Sequence, residues 1–409
     1  MLARMSLLSS VVLAGCAGSG ADASSAAAPQ VRDSAGIRLV EHQLEAATLT
    51  DSTAWRMDGA PMWRFASVPR EAEAELLGIV GATFLADGGL VLTHRSKQEL
   101  LVLDASGRFV HSIGRAGDGP GEFRTIGAPW RVDGARLGVY DGRPRRTTML
   151  SMQGDVRDSR SVVLPELPDS AQRLWGSPGI TADGALLLWV DASARTEPGI
   201  DRPARWLVVV DSLGQAKPVG SARAGMERYV MPPGPNGVVS LGFSPFAASP
   251  LAAPCGREVI TADNQSYAVV RESLDGKITT IIRSPLSPRL ADSADYAAAI
   301  RAQYPTADVS AESIEPLRRM TPSGLVPVLR SIQCDEAGNV WVEEQPHDNG
   351  RWRRLIAYTP AGERRLTVLV PSALRLLAVR SDAIAVLAFD EDGQERVEVY
   401  RAPTAAGAP

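Results

Sequence analysis

The chain has 409 residues, of which 44% are hydrophobic and 22% charged, and its formal net charge is -4. That balance excludes the basic footprint of a nucleic-acid binder and leaves no polybasic stretch for anionic lipid. With 37 Gly and 29 Pro the chain is rich in turn residues, and a length that would ordinarily mean two or three domains also suits one repeat array.

The first segment has Arg4, an apolar run over residues 5–13, and then Leu13-Ala14-Gly15-Cys16. The run is far shorter than the ~20 residues that cross a bilayer as a helix. Its charged start and small-residue end give residues 1–15 the form of a removable signal peptide. The final four residues resemble the lipobox of bacterial lipoproteins. The resemblance implies cleavage before Cys16 and anchoring through lipid on that cysteine, whose several acyl chains hold a membrane better than one. Ala17 lacks the aspartate associated with inner-membrane retention, so the expected address is the outer membrane, facing the periplasm or the cell surface. Residues 16–30 are Ala, Ser and Gly for the most part and cannot build a core, which makes them a tether.

From residue 31 to 402 one unit recurs: apolar strand, tight turn, apolar strand, gap, third strand, second tight turn, fourth strand. The clearest copy begins at Ile79, turns at Asp87-Gly88-Gly89 and again at Asp104-Ala105-Ser106-Gly107, and closes at Ile113. Later copies turn at Asp133-Gly134, Asp183-Gly184, Pro254-Cys255-Gly256, Asp335-Glu336-Ala337-Gly338 and Ser381-Asp382. Gly supplies the positive φ that such turns need. Four-strand units at this period are the pattern of propeller blades, and six of them fit. The sixth unit runs out after three strands and gives way to a tail over 403–409. Ile37-Arg38-Leu39-Val40-Glu41 is the strand expected to complete it, closing the ring from the N-terminal side. Between units four and five, Asp292 or Ser293 followed by Tyr296, Ile300 and Tyr304 predicts a short helix ended by Pro305.

Asp33-Ser34-Ala35-Gly36-Ile37, the string from Ile113-Gly114-Arg115-Ala116-Gly117-Asp118 to Gly119-Pro120-Gly121-Glu122-Phe123, and the repeated Asp-x-x-Gly turns resemble the six-bladed, NHL-like β-propellers of bacterial lipoproteins. The resemblance implies an all-β, six-bladed fold and says little of activity. In such propellers the first and third turns of each blade share one face, where all are tight here. The extra length, over residues 115–129, 191–204, 223–245, 285–325 and 345–351, falls on the other face. Long loops in a compact fold tend to carry function, which makes Arg115, Asp118, Glu122, His347 and Asp348 the candidate binding residues. Two cysteines remain beyond Cys16. In an exported chain Cys255 and Cys334 read as a disulfide, stapling the first turns of neighbouring blades.

No catalytic constellation is present. The four histidines His42, His94, His111 and His347 fall in separate units without metal-ligand spacing, and the Gly-rich string lacks the Gly-Lys-Ser/Thr of a phosphate loop. The expectation is a monomeric, membrane-anchored, extracytoplasmic binding or scaffold module for a protein, peptide or glycan, needing no cofactor. The alternative is a metal-dependent, lactonase-like hydrolase with scattered ligands in the central channel.

Overall fold

The computed structural model describes residues 28–43, 54–69, 74–133, 135–167, 173–192, 197–234, 240–304, 307–321, 323–346 and 351–403. Cys16, most of the tether, Pro305, His347, Asp348 and residues 404–409 lie outside these. The repeats fold as six antiparallel sheets. Their inner strands are Ile79–Phe84, Ile126–Arg131, Arg173–Ile180, Pro250–Cys255, Leu329–Cys334 and Arg375–Arg380, in blades one to six. Each inner strand lies against the next, and that of blade six returns to that of blade one, so the sheets stand radially around a channel.

The packing explains why the second strands read as continuous apolar runs rather than alternating ones. Each blade is covered on both faces by its neighbours. The buried side chains accordingly divide into clusters at the blade junctions. Leu90, Leu92, Leu387 and Val397 lie between blades six and one, Val91, Leu100, Leu137 and Val139 between one and two, and Ile260, Val269, Val340 and Tyr358 between four and five. Several of the tight turns share one device. Asp104 Oδ1 accepts from the Ser106 and Arg108 amides at 2.8 and 3.0 Å, and Asp335 Oδ1 accepts from Ala337 and Asn339 at 3.0 and 2.9 Å. Gly107 and Gly338 follow three residues on with φ of 78° and 80°, a region closed to most side chains.

An N-terminal strand does close blade six, but it is Trp63–Phe65 rather than Ile37–Glu41. Trp63–Phe65 pairs antiparallel with Glu395–Arg401, with Arg64 Nε donating to Glu398 Oε1 at 2.9 Å. Ile37–Glu41 instead pairs parallel with Ile278–Arg283 on the outside of blade four, where it carries a further strand, Gln30–Ser34. Between them Trp55–Arg56 pairs parallel with Arg364–Pro371 of blade five. The N-terminal segment thus runs around three successive rims and covers the open edge of each. Chain distance accounts for the difference. The closing strand must connect to Ile79 by a blade-to-blade link, and Trp63–Phe65 is near enough to do so. At three residues it is too short to display an alternating pattern.

The expected helix, α1 (Ser293–Gln303), is capped by Asp292 in a capping box with Asp295. A second helix, α2 (Ala311–Arg319), follows it in the same insertion. Tyr296 of α1 is buried against Phe246, Ile314 and Val326, whereas Tyr304 at its end is exposed.

One buried polar network ties the N-terminal segment to blades four and five. The His42 ring lies 5.0 Å from the Tyr358 ring, and its Nε2 is 2.8 Å from the Gly362 carbonyl oxygen. The Tyr358 and Tyr267 hydroxyls are 2.8 Å apart. Beside them Glu344 is fully buried, with Oε2 accepting from Arg354 Nε at 2.6 Å. Burial outweighs the arginine and raises the Glu344 carboxyl to about 7.

Two outcomes follow from these contacts. Phe65→Ala empties a core position at the ring closure and should cost about 3–5 kcal/mol by denaturant unfolding, whereas removing residues 28–42 should leave one cooperative transition. In the folded state Glu344 keeps a proton that the unfolded chain releases above its ordinary value of 4.5. The Glu344 contribution to stability should therefore fall as pH rises from 4.5 to about 7 and level off above, opposed in part by His42, whose burial lowers its pKa. Glu344→Gln should remove that segment of the pH profile, measured by unfolding at several pH values.

Candidate functional site

The Gly-rich string lies on the long-loop face between blades one and two. It closes on itself: Arg115–Ala116 pairs parallel with Glu122–Phe123. Arg115 Nε donates to Glu122 Oε1 at 2.7 Å, and the Gly119 amide donates to Glu122 Oε2 at 2.8 Å. These two contacts, the amide foremost, hold the Glu122 carboxyl below the usual range. Asp118 pairs with Arg124, and Arg146 donates to the carbonyl oxygens of Asp118 and Glu122 at 3.1 and 2.6 Å. A Cβ on Gly117 would meet Glu122 Oε2 at 2.1 Å. The structure therefore brings Arg115, Asp118 and Glu122 together, with their charges directed at one another and at the loop backbone. The other two candidates, His347 and Asp348, lie outside the described residues.

A larger opening sits at the other end of the channel, where the inner strands run into the tight turns. There the channel widens into a cavity of about 890 Å³. Turn residues of five blades ring it, among them Asp133, Ala182, Gly256, Glu336 and Arg380, and Phe84 represents blade one. Cys255 and Cys334 form part of its wall and are joined as a disulfide, with Cα atoms 5.3 Å apart and 79 residues between them in sequence. The bridge fixes the turns of blades four and five, the two that carry Arg257 and Glu336 into the cavity.

Four arginines and four acids line this cavity. All four acids are engaged. Asp133 Oδ2 accepts from Arg136 at 2.8 Å, and Glu258 accepts from Arg271 at 2.8 Å. Asp335 holds its turn and accepts from Trp341 Nε1 at 2.9 Å, and Glu336 accepts from the Ser381 hydroxyl at 2.5 Å. Of the arginines, Arg271 also donates to the Gly338 carbonyl at 2.7 Å. Arg380 pairs with Asp382 and lies over the Phe84 ring at 5.2 Å. Arg131 and Arg257 have no side-chain hydrogen bond or ion pair among the described residues. Formal charge is balanced among these eight side chains.

A second cavity, of about 420 Å³, opens between blades six and one on the same face. Phe84, Arg131, Glu336 and Arg380 line both cavities, which therefore meet. Its outer end is formed by Met62 and Trp63, from the strand that closes the ring. No sequence signal marked this site, because its residues come from the strand ends and turns of six separate blades, and each turn reads as ordinary punctuation. Among the described residues no three His, Cys, Asp or Glu side chains converge as a metal site, and no helix is long and apolar enough to cross a membrane.

A family model described as a six-bladed β-propeller, DUF5128, matches residues 72–135, the stretch that holds blade one and the Gly-rich string. No curated protein matches the sequence. Similar solved structures include an exported protein from Bacteroides fragilis, 12% identical, with 89% of this chain and 100% of that one covered and a TM-score of 0.47. A DUF4221 family member from Bacteroides vulgatus is 10% identical, with 83% and 97% covered and a TM-score of 0.49. The calcium-binding protein regucalcin from Agrobacterium tumefaciens is 15% identical, with 84% and 94% covered and a TM-score of 0.39. Likenesses this distant bear on neither ligand nor activity. With the radial sheets and the family model together, the chain is a six-bladed β-propeller.

Proposed function

We propose that this propeller is an extracytoplasmic binding module, held to a membrane by lipid on Cys16, that receives its ligand in the channel mouth ringed by the tight turns. The observation that carries the reading is the cavity of about 890 Å³, in which two arginines have no partner among the described residues. A pocket of this size suits a small molecule or the end of a peptide or glycan chain. Export is supported by the signal-peptide pattern before Cys16 and by the Cys255–Cys334 bridge, which belongs in an oxidising compartment.

The path of the N-terminal segment supports an orientation. Gln30 pairs with Glu41, and Glu41 with Arg283 at the long-loop end of blade four. A tether ending at Gln30 therefore meets the ring at the end opposite the cavity. The segment from Cys16 to Gln30 would span about 20 Å as a flexible chain. In this reading the long-loop face lies toward the membrane and the cavity faces away from it.

Exposed Ala182 and Ala337 both line the cavity. Ala182→Trp and Ala337→Trp should each abolish capture of the ligand from envelope extracts by the Cys16→Ser protein, with thermal unfolding unchanged. Replacing residues 115–122 by a short turn should leave capture intact. Capture that is lost on the loop replacement and kept in both tryptophan variants would place binding on the long-loop face.

A further inference from the structure

We infer that the ligand is an amphipathic organic anion, whose acidic head meets Arg131 and Arg257 and whose apolar body extends along the cavity between blades six and one. The inference rests on the tight-turn mouth being the binding site and goes further by naming the chemical class.

The head follows from the distribution of hydrogen bonds. Every carboxylate lining the mouth already accepts from a protein donor, which offsets part of its charge. Arg131 and Arg257, on blades two and four, retain all their side-chain donors among the described residues. Each offers a planar fork suited to carboxylate, sulfonate or phosphate. Arg131 is half-buried, so pairing it takes less ordering and less water displacement than pairing a fully exposed side chain.

The body follows from the walls. The lining of the mouth includes half-buried Trp130 and the buried Phe84, Ile180, Pro254 and Val379. Arg131 also lines the adjoining cavity, which leads outward past Leu85 to Met62 and Trp63. Met62 is 46% exposed, an apolar side chain left uncovered at the end of this trench. The walls of this trench are mixed: Phe84, Leu85, Trp63 and Met62 run along it beside Asp87, Glu336, Arg380 and Asp382, so an anion held at Arg131 has apolar side chains leading away from it along one part of the wall. A small inorganic anion would leave that part of the wall uncovered.

The test uses two probes with one ring system, 8-anilinonaphthalene-1-sulfonate and its uncharged analogue N-phenyl-1-naphthylamine, titrated by fluorescence and calorimetry against the Cys16→Ser protein. The sulfonate should bind saturably at one site and more tightly than the amine. Arg131→Met and Arg257→Met should each weaken the sulfonate roughly tenfold or more and leave the amine unchanged. Ala105→Trp, which fills the trench from an exposed position, should weaken both probes. Absence of saturable sulfonate binding, or equal affinity for the two probes with both arginine variants silent, would overturn the anionic class. If the probes are also unaffected by Ala182→Trp and Ala337→Trp, the mouth itself is not the site. If those variants block both probes equally, the mouth stands and only the class falls. Circular dichroism melts of each variant separate lost binding from lost folding.

Discussion

A β-sheet with two apolar faces has no stable place alone in water, and in this molecule each blade meets that constraint by standing between two others. The buried clusters lie at the junctions between blades, so the channel is a by-product of packing and not a core. A ring built this way depends on its last junction. Blades six and one can bury Leu387, Val397, Leu90 and Leu92 only if blade six is complete. Three residues from the N-terminal side, Trp63–Phe65, complete it. The Trp63 indole lies so close to Gly107 of blade one that a Cβ there would meet it at 2.5 Å. One short strand thus completes a sheet and seals the seam between two blades.

The same closure shapes the candidate site. Trp63 and Met62 form the outer end of the trench between blades six and one, and the trench exists because the closing strand ends there. At the channel mouth, carboxylates and hydroxyls of the turns are consumed in holding the turns. Asp335 bonds two amides, Asn339 and Trp341, and Glu336 bonds Ser381. A mouth made of tight turns therefore uses acceptors to hold its own turns, and among the described residues Arg131 and Arg257 at its rim have no protein partner.

On the long-loop face the logic runs the other way. Arg115, Asp118, Glu122 and Arg124 pair with one another within one loop, and Arg146 on the adjoining strand donates to that loop's carbonyl oxygens. Glu122 occupies space that glycine at 117 leaves open, and a larger residue there would collide with it. The string that is most distinctive in the sequence is thus explained by the folding of a loop. Distinctive composition marked a structural demand here, while the site with unmet hydrogen-bonding capacity was compositionally plain.

The sequence by itself determined the blades, because strand alternation, apolar runs and Asp-x-x-Gly turns are local properties and each unit carries its own. It also determined the helix at Ser293–Gln303, whose cap and apolar stripe lie within a dozen residues. Tertiary structure decided which N-terminal strand closes the ring, since Ile37–Glu41 and Trp63–Phe65 are both short and the choice between Ile278–Arg283 and Glu395–Arg401 is a matter of chain path around the rim. It decided the cavity too. Arg131 and Arg257 are separated by 126 positions and become neighbours of one space only when six turns meet around an axis. Whether an arginine is paired depends on what the ring places beside it, and no spacing along the chain records that.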